Sequence, residues 1–449
     1  MQSPLTKIIK SSKLLIMIMV VSLLPGCSKL DPFPRKDPKA TEESADVVYD
    51  WYKLIAQIQL YSNPSPVLQN YRNFGFVGVG LYEAVQPGIK GAVSLSTKLY
   101  QMPAMPTPES NKDYLWGASA NAFFPSMFKQ ILAGLTNADI ARMDSLENAY
   151  NNRFRLSTSD AVVNRSQAFG LSIATAIYNW STTDNFNLSS TGYVLPVFPG
   201  SWVPTPPGLA APVGPFLANS RPFMAYSLTA TAPPLPFPYS EDPSSQFYKA
   251  AKEVYDVGNA LTVEQKIIAN WWGGGPGETL HFAAGAHPIS IATQILERKK
   301  AKLGQAAQTY AKASIAFKDG PIIVWRAKYQ FNLVRPITYI NKLIDPGWQA
   351  YLVTPPYPDY TSGLAGVITP FMQVLKREFG DLPLMDNTYV WRGDGSRQYA
   401  SISALIREAA NSRVYAGIHY QFTQDISVEL GQKLGNNIAD INLVGSREK

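Results

Sequence analysis

Three short segments near the C-terminus carry the side chains most able to do chemistry. They are Lys328–Pro336, Thr361–Leu364 and Ser412–His419, and together they supply three cations, hydroxyl groups, a glycine amide and an imidazole. Guanidinium and ammonium groups donate strong hydrogen bonds to the oxygens of phosphate-like anions. These residue types therefore predict a site for a tetrahedral oxyanion such as phosphate or vanadate.

The first segment pairs two cations at a helical spacing. Lys328 and Arg335 are seven residues apart, which is nearly two turns of an α-helix, so the spacing predicts that they share one helix face. Pro336 disfavours helical geometry at the residue before it, which predicts that the helix ends or kinks at Arg335 and turns it towards a pocket. For this pair alone, a solvated basic face is the simpler interpretation.

The other two segments predict a helix start and a helix end. Thr361–Gly363 precedes an apolar run, which favours an N-cap whose backbone N–H groups are open to an anion. Ser412 and Arg413 follow a predicted helix end at Asn411, and His419 lies in or just before the last helix. Taken singly, an ordinary N-cap and a core histidine explain these features as well.

In order and spacing, the three segments resemble the patterns Lys-x6-Arg-Pro, Pro-Ser-Gly-His and Ser-Arg-x5-His. These are the signature of the superfamily that joins vanadium-dependent haloperoxidases, type 2 phosphatidic acid phosphatases and bacterial class A acid phosphatases. The first and third segments match fully, whereas Tyr360–Leu364 lacks both the proline and the histidine. Upstream features resemble the bacterial secreted haloperoxidase-like branch; they are Pro204–Pro207, Arg221–Phe223, Asp242-Pro243 and Gly275–Gly277.

The resemblance implies a common fold and a common pocket. The fold would be an all-α helical bundle of the haloperoxidase/acid-phosphatase type, and the pocket would bind vanadate, with phosphate as the competing oxyanion. Three cations would neutralise the oxygens, a hydroxyl and an amide would add donors, and one histidine would ligate vanadium in a peroxidase or attack phosphorus in a phosphatase. These residues are Lys328, Arg335 and Arg413, then Ser362 and Gly363, and finally His419.

Two positions depart from the family pattern. Leu364 stands where the family has a histidine that protonates the leaving oxygen or assists peroxide binding, and loss of a general acid typically costs roughly 10²–10⁴-fold in rate. Binding should survive because Leu364 removes no cation. Thr423 stands where the family often has an acid that orients the axial histidine. Asp425 could take that part, although an acid in the first turn of a helix is its simpler role.

Two further histidines follow a Gly-rich break and could replace the lost acid. His281 and His287 both lie near this break, and His287 is the better placed of the two. We hypothesise that His287 approaches the anion site as a second catalytic residue. The structural alternative is a histidine at the start of a helix.

The N-terminus predicts export and lipidation. Three lysines precede an apolar run from Leu14 to Leu24, which is shorter than the roughly 20 residues of a membrane-spanning helix and fits a signal peptide over residues 1–26. Leu24–Cys27 resembles a bacterial lipobox, and Cys27 is the only cysteine. We therefore expect an exported bacterial lipoprotein, anchored by acyl chains on Cys27 at a periplasmic or cell-surface face, with a flexible tether over 27–45.

Composition limits the class of partner. The net charge is +7, and much of it lies in the signal peptide, so the remaining charge is too weak to predict nucleic-acid binding. We expect small-molecule substrates, either halide with hydrogen peroxide or a phosphate ester, and a membrane contact through the lipid anchor alone.

Apolar residues at helical spacing predict helices along most of the chain. We divide it into an N-terminal helical region, 46–243, and a C-terminal helical region, 244–449, that carries the oxyanion site. Residues 190–243 contain 13 of the 35 prolines, which excludes continuous helix or central strand there. Because this stretch also holds several aromatic residues, we expect an irregular segment packed over the helices. The predicted helices are one from Asp46 to Pro64 and others at 67–84, 111–133, 137–153, 160–181, 244–257, after Thr262, 287–302, 305–327, 363–379, 398–410 and 424–442.

Three functions compete for this pattern. The first is a membrane-anchored haloperoxidase-like protein that binds vanadate and oxidises halide with hydrogen peroxide, impaired to the extent that Leu364 removes an acid. The second is a phosphatase on the same scaffold. The third is a non-catalytic lipoprotein that binds an anion or a glycan, which Leu364 and the many aromatic residues favour.

Overall fold

Helices dominate because apolar residues recur at helical spacing along almost the whole chain. The computed structural model describes residues 39–61, 66–273 and 285–444, which belong to one compact unit, Asp37–Lys449. The expected all-α fold is confirmed. In chain order the described helices are α1 (Asp46–Tyr61), α2 (Val67–Val85), α3 (Trp116–Ile131), α4 (Asn137–Arg155), α5 (Asp160–Ser181), α6 (Gln246–Asn259), α7 (Val263–Gly273), α8 (Ala286–Arg298), α9 (Leu303–Phe331), α10 (Pro336–Leu343), α11 (Gly363–Phe379), α12 (Ile402–Tyr415) and α13 (Gln421–Ala439).

Two kinds of element were not predicted from the spacing of apolar residues. Helix α10 is short and begins with Pro336, which is tolerated there because the first residues of a helix need no N–H partner within the helix. Strands β1 (Leu384–Asp386) and β2 (Arg397–Tyr399) form one antiparallel hairpin in which Leu384 faces Tyr399. Three residues are too few to show alternation. Every other described α-helix was predicted, with ends that shift by up to five residues.

Helix α9 lies at the centre of the molecule and is packed by α2 and α11. A glycine permits the first of these contacts, because a Cβ atom built on Gly78 would lie only 2.2 Å from the hydroxyl oxygen of Ser314 on α9. On the other side, Phe317 of α9 stacks on Phe371 of α11 with ring centroids 4.6 Å apart. These contacts hold the middle of α9, and Lys328 lies in the last turn of the same helix.

The Pro-rich segment 190–243 packs against α9, as expected. Trp202 is fully buried, and the carbonyl oxygen of Val213 accepts hydrogen bonds from the indole of Trp325 at 3.0 Å and the hydroxyl of Tyr329 at 2.7 Å. The buried carboxylate of Asp319 accepts three more from this segment. The segment is therefore an ordered cover over the last turns of α9.

Several predicted features lie outside the described residues. They include the signal peptide over 1–26, the lipidation site Cys27, most of the tether over 27–45, Gly275–Gly277 and His281. Within the described ranges, no helix combines the length and apolarity needed to cross a membrane. One apolar core runs through both predicted regions, 46–243 and 244–449.

Candidate oxyanion site

The first two cations converge through a turn. Helix α9 ends at Phe331, and Asn332 caps it in the left-handed conformation with φ 46° and ψ 40°, which asparagine tolerates better than most residues. The chain then runs to Arg335, the N-cap of α10. The prediction that Lys328 and Arg335 share one helix face is therefore wrong, because one left-handed residue ends α9 before Arg335.

Lys328 is a fully buried cation that donates to backbone carbonyls. Its Nζ atom lies 2.9 Å from the carbonyl oxygen of Pro358 and 3.1 Å from that of Asp359. Burial lowers the pKa of Lys328 well below its ordinary value, and the nearby Arg335 lowers it further, while Asp359 opposes both. An ammonium has three N–H donors, and the two carbonyl acceptors among the described residues leave one of them for a ligand.

Arg335 is also fully buried and keeps unused donors. Its Nε donates to the carbonyl oxygen of Tyr357 at 2.8 Å, and Nη1 donates to that of Ile418 at 2.7 Å. Its Nη2 atom has no protein partner within the described residues. Burial lowers the pKa of Arg335, with Asp359 as the main opposing charge. A buried guanidinium nitrogen without a partner is costly, and an anion would satisfy it.

The second segment forms the predicted helix start. Ser362 is the N-cap of α11, and its hydroxyl accepts a hydrogen bond from the Ala365 amide at 3.4 Å. Thr361 is fully buried, and its hydroxyl has no partner among the described residues. Leu364 is half-buried and packs on the main core. The amide of Ser362 donates to the hydroxyl of Ser427 at 2.8 Å, and the first turn of α11 carries no acidic side chain.

The third segment differs from its prediction at one point. Helix α12 continues to Tyr415, so Ser412 and Arg413 lie in its last turn and the expected helix end at Asn411 is wrong. The hydroxyl of Ser412 donates back to the carbonyl oxygen of Ala409 at 2.6 Å, so this serine is accommodated within the helix.

Arg413 supplies the third buried cation. Its Nε donates to the hydroxyl of Ser412 at 3.0 Å, and Nη2 donates to the carbonyl oxygen of Ala269 at 3.3 Å. Burial lowers the pKa of Arg413 to about 10, and Tyr357 and Tyr71 oppose that shift. Arg413 therefore stays charged at neutral pH.

His419 lies just before α13 and against the cations. Its Nδ1 is 2.8 Å from Oδ1 of Asp359, and its Nε2 is 3.2 Å from Nη1 of Arg335. Burial lowers the pKa of His419 to about 3, and Arg335 and Lys328 add to that shift while Asp359 opposes it. The imidazole is therefore neutral. Because a carboxylate accepts the Nδ1 proton, Nε2 carries the lone pair.

Asp359 is a site residue that the sequence analysis missed. Besides His419, it accepts a hydrogen bond from the hydroxyl of Thr423, with 2.5 Å between that oxygen and Oδ2. Thr423 therefore holds the orienting acid in place, although the acid itself comes from another segment. Asp425 instead pairs with Arg407 at 2.6 Å and is half-exposed. A search for carboxylates among Lys328–Pro336, the Pro358–Leu364 stretch and Ser412–His419 would have found only Asp359.

His287 lies in a different cluster. Its Nε2 is 2.6 Å from Oδ2 of Asp386, and its ring stacks on Trp272 with centroids 4.8 Å apart. Within the described part of the chain, no hydrogen bond or ring contact joins His287 to the three cations or to His419. The hypothesis that His287 replaces the missing acid has no supporting contact there. Its position at the start of α8 agrees with the structural alternative.

The charges of the site fit an oxyanion. Among the described residues of the site, three buried cations accompany one buried carboxylate, Asp359, which interacts with Lys328 and Arg335, so positive charge is in excess when all are ionised. Such a donor-rich, cationic set repels a bare metal cation and suits a tetrahedral anion that accepts several hydrogen bonds. Vanadate and phosphate both have this character.

Comparisons with known proteins agree with this chemistry. The family described as the VCPO second helical-bundle domain matches residues 308–443, which contain every residue of the oxyanion set. No curated protein gives a significant match. Two bacterial crystal structures are similar to the chain. A vanadium-dependent iodoperoxidase is 29% identical, with a TM-score of 0.80 over 92% of this chain and 100% of that one. A holo-type vanadium-dependent chloroperoxidase is 19% identical, with a TM-score of 0.64 over 85% and 93%, and its likeness concerns the fold.

Proposed function

Since the chain belongs to the vanadium haloperoxidase superfamily, we propose that it binds vanadate, with phosphate as a competitor, and oxidises halide with hydrogen peroxide. The observation that carries this proposal is the excess of buried positive charge among the described residues of the site: Asp359 offsets the charge of Lys328 and Arg335, and Arg413 is a third buried cation whose neighbours are Tyr357 and Tyr71. The similarity to an iodoperoxidase supports oxidation of halide over hydrolysis of a phosphate ester.

Each residue of the site has a proposed task. Bound vanadate supplies the centre at which peroxide is activated for two-electron oxidation of halide. The three cations bind and neutralise its oxygens, and the first amides of α11 add donors. The Nε2 lone pair of His419 would hold the vanadium, and Asp359 would keep that lone pair on Nε2 by accepting the Nδ1 proton.

Leu364 is the residue that favours a second candidate function. An aliphatic side chain in the first turn of α11 can neither donate nor accept a proton, so turnover should be slower by roughly 10²–10⁴-fold than with an acid there. Anion binding does not need that acid. A protein that binds an oxyanion without appreciable turnover is therefore the alternative.

The test is to assay the purified protein with orthovanadate, hydrogen peroxide and iodide or bromide, and to follow hydrolysis of an aryl phosphate beside it. We expect vanadate-dependent iodide oxidation that is lost in His419→Ala and raised in Leu364→His. Thermal unfolding of each variant shows that it folds. Ester hydrolysis without halide oxidation would indicate a phosphatase. Tight phosphate binding without either activity would indicate a binding protein. Absence of any oxyanion binding would contradict the proposed site.

The N-terminal sequence supports a proposed location. The basic and apolar residues before Cys27 favour export and lipidation, so we propose a membrane-anchored protein that works outside the cytoplasm. Membrane fractionation of cells that express Cys27→Ser would test this, because loss of the acylated cysteine should release the protein from the membrane fraction.

A further inference from the structure

Tyr357 stands between the cations of the site. The Nζ atom of Lys328 lies 4.8 Å from the centroid of its ring, and the guanidinium carbon of Arg335 lies 5.0 Å from it. The ring of Trp325 also packs against it, with centroids 5.0 Å apart. Cation–π contacts of this kind hold an aromatic ring in place when they are removed from water. Tyr357 is therefore a fixed wall of the anion site.

The hydroxyl of Tyr357 points towards the start of α11. A Cβ atom built on Gly363 would lie 3.8 Å from this hydroxyl oxygen, so the phenol sits beside the first amide of the helix. Gly363 immediately precedes Leu364 along the chain. The phenol oxygen accepts a hydrogen bond from the guanidinium of Arg335, and this bond does not use the phenol proton.

The protonation state of this phenol suits a donor. Burial raises the pKa of Tyr357, while Arg335 and Arg413 oppose the rise. The pKa still lies above the ordinary value of a tyrosine, so the group is a neutral phenol at physiological pH. The influence of Arg413 also shows that the hydroxyl is within electrostatic reach of the third cation.

We propose that the hydroxyl of Tyr357 donates a hydrogen bond to the bound oxyanion and supplies, from the segment before α11, the donor that Leu364 lacks. This inference rests on the proposed oxyanion site. It assigns Tyr357 as an anion-binding residue on the wall beside Gly363.

The substitution Tyr357→Phe tests this directly, since it keeps the ring and its cation contacts and removes only the hydroxyl. A hydrogen bond to a charged group is worth enough to change a dissociation constant by about tenfold to a hundredfold. We expect this loss in the affinity for inorganic phosphate and for orthovanadate, measured by titration calorimetry on the full chain. The melting temperature of the free protein should not change.

A matched control lies three residues away. The hydroxyl of Tyr360 donates to the carbonyl oxygen of Pro233 at 2.7 Å, so Tyr360→Phe also removes a phenolic hydroxyl from this segment. It should leave phosphate affinity unchanged. Equal losses in Tyr360→Phe and Tyr357→Phe would overturn the proposal, because they would report a general disturbance of the segment.

A double-mutant cycle tests whether the phenol stands in for the missing histidine. In Leu364→His the introduced imidazole can donate to the same side of the anion, so removal of the Tyr357 hydroxyl should then cost several-fold less affinity than in the parent. Additive effects of the two mutations on phosphate affinity would contradict the proposal that the Tyr357 hydroxyl replaces the donor that Leu364 lacks. If the parent binds no phosphate or vanadate, the proposed function itself fails; if it binds and Tyr357→Phe binds equally well, only this inference fails.

Discussion

Asp359 and His419 are separated by 60 positions in the chain, yet the carboxylate and the imidazole are 2.8 Å apart. The carboxylate selects which ring nitrogen carries the proton, and the hydroxyl of Thr423 selects the orientation of the carboxylate. A neutral imidazole whose proton is held away from the ligand is the form that can ligate or attack. We therefore expect the reactivity of His419 to depend on Asp359, which holds its ring, and on Thr423, which holds Asp359.

Asp359→Asn should weaken the site without removing any cation. An amide can accept the Nδ1 proton only in one of its two orientations, so the tautomer of His419 is no longer fixed, and loss of such a partner typically costs about 10–100-fold in affinity or activity. Vanadate affinity and the ¹⁵N chemical shifts of labelled histidine measure the two effects. Asp425→Asn is the control, because Asp425 pairs with Arg407 at the surface; similar effects in both variants would contradict the assignment.

The side chains of the site divide into those that the sequence could predict and those that it could not. Lys328, Arg413 and His419 stand in segments whose spacing already indicates an oxyanion. Tyr357 lies between two prolines and carries no such signal, and Asp359, although it is the one acid in these stretches, becomes meaningful only when burial and contacts with the other segments are known. Their importance is a property of the assembled pocket.

At the scale of elements, the site is made from helix ends. The last turn of α9 carries Lys328, Ser362 and Gly363 lie at the start of α11, and the last turn of α12 carries Arg413. Apolar spacing predicted these helices because each buries one face. It could not predict where α9 stops, since Phe331 continues the apolar pattern and the end depends on the φ angle of Asn332 alone.

Asn332 gives a prediction about that helix end. Both polar atoms of its buried side chain lack a partner among the described residues, so its contribution lies in its left-handed backbone. Asn332→Gly should keep the free energy of unfolding and the phosphate affinity. Asn332→Val should lower the free energy of unfolding by about 1–2 kcal/mol, because a branched residue disfavours the left-handed conformation. It should also weaken phosphate binding, because Arg335 would be displaced. Urea unfolding and calorimetry measure both, and equal behaviour of the two variants would contradict this explanation.

At the scale of the whole molecule, the Pro-rich segment completes the site from outside. The Trp202 amide donates to the carbonyl oxygen of Asn332 at 2.7 Å, and the Val334 amide donates to that of Gly200 at 2.8 Å. The Val213 amide donates in the same way to the carbonyl oxygen of Pro356 at 3.0 Å. Both irregular stretches of the site therefore have their backbone groups satisfied by this cover, which keeps water from them.

Whole-molecule stability should depend on pH through two buried groups. The pKa of His419 is about 3 in the folded protein, below its ordinary value of 6.5. Between these two pH values the unfolded chain is protonated at His419 and the folded protein is not. Lys328, whose pKa is also lowered, acts in the same direction at higher pH. The ligand-free protein therefore loses stability from both groups as pH falls. A bound anion raises the pKa of Lys328 again, so binding takes up a proton.

Sulfate provides the measurement, because its charge is constant from weakly acidic to alkaline pH. At a concentration of one hundred times its dissociation constant, sulfate should stabilise the protein by about 2.7 kcal/mol. Affinity should fall as pH rises through the lowered pKa of Lys328, because the anion prefers the ammonium form. Calorimetry in buffers of different ionisation enthalpy should show proton uptake. Lys328→Met should bind more weakly and lose this pH dependence; a slope that survives in the variant would show that another group takes up the proton.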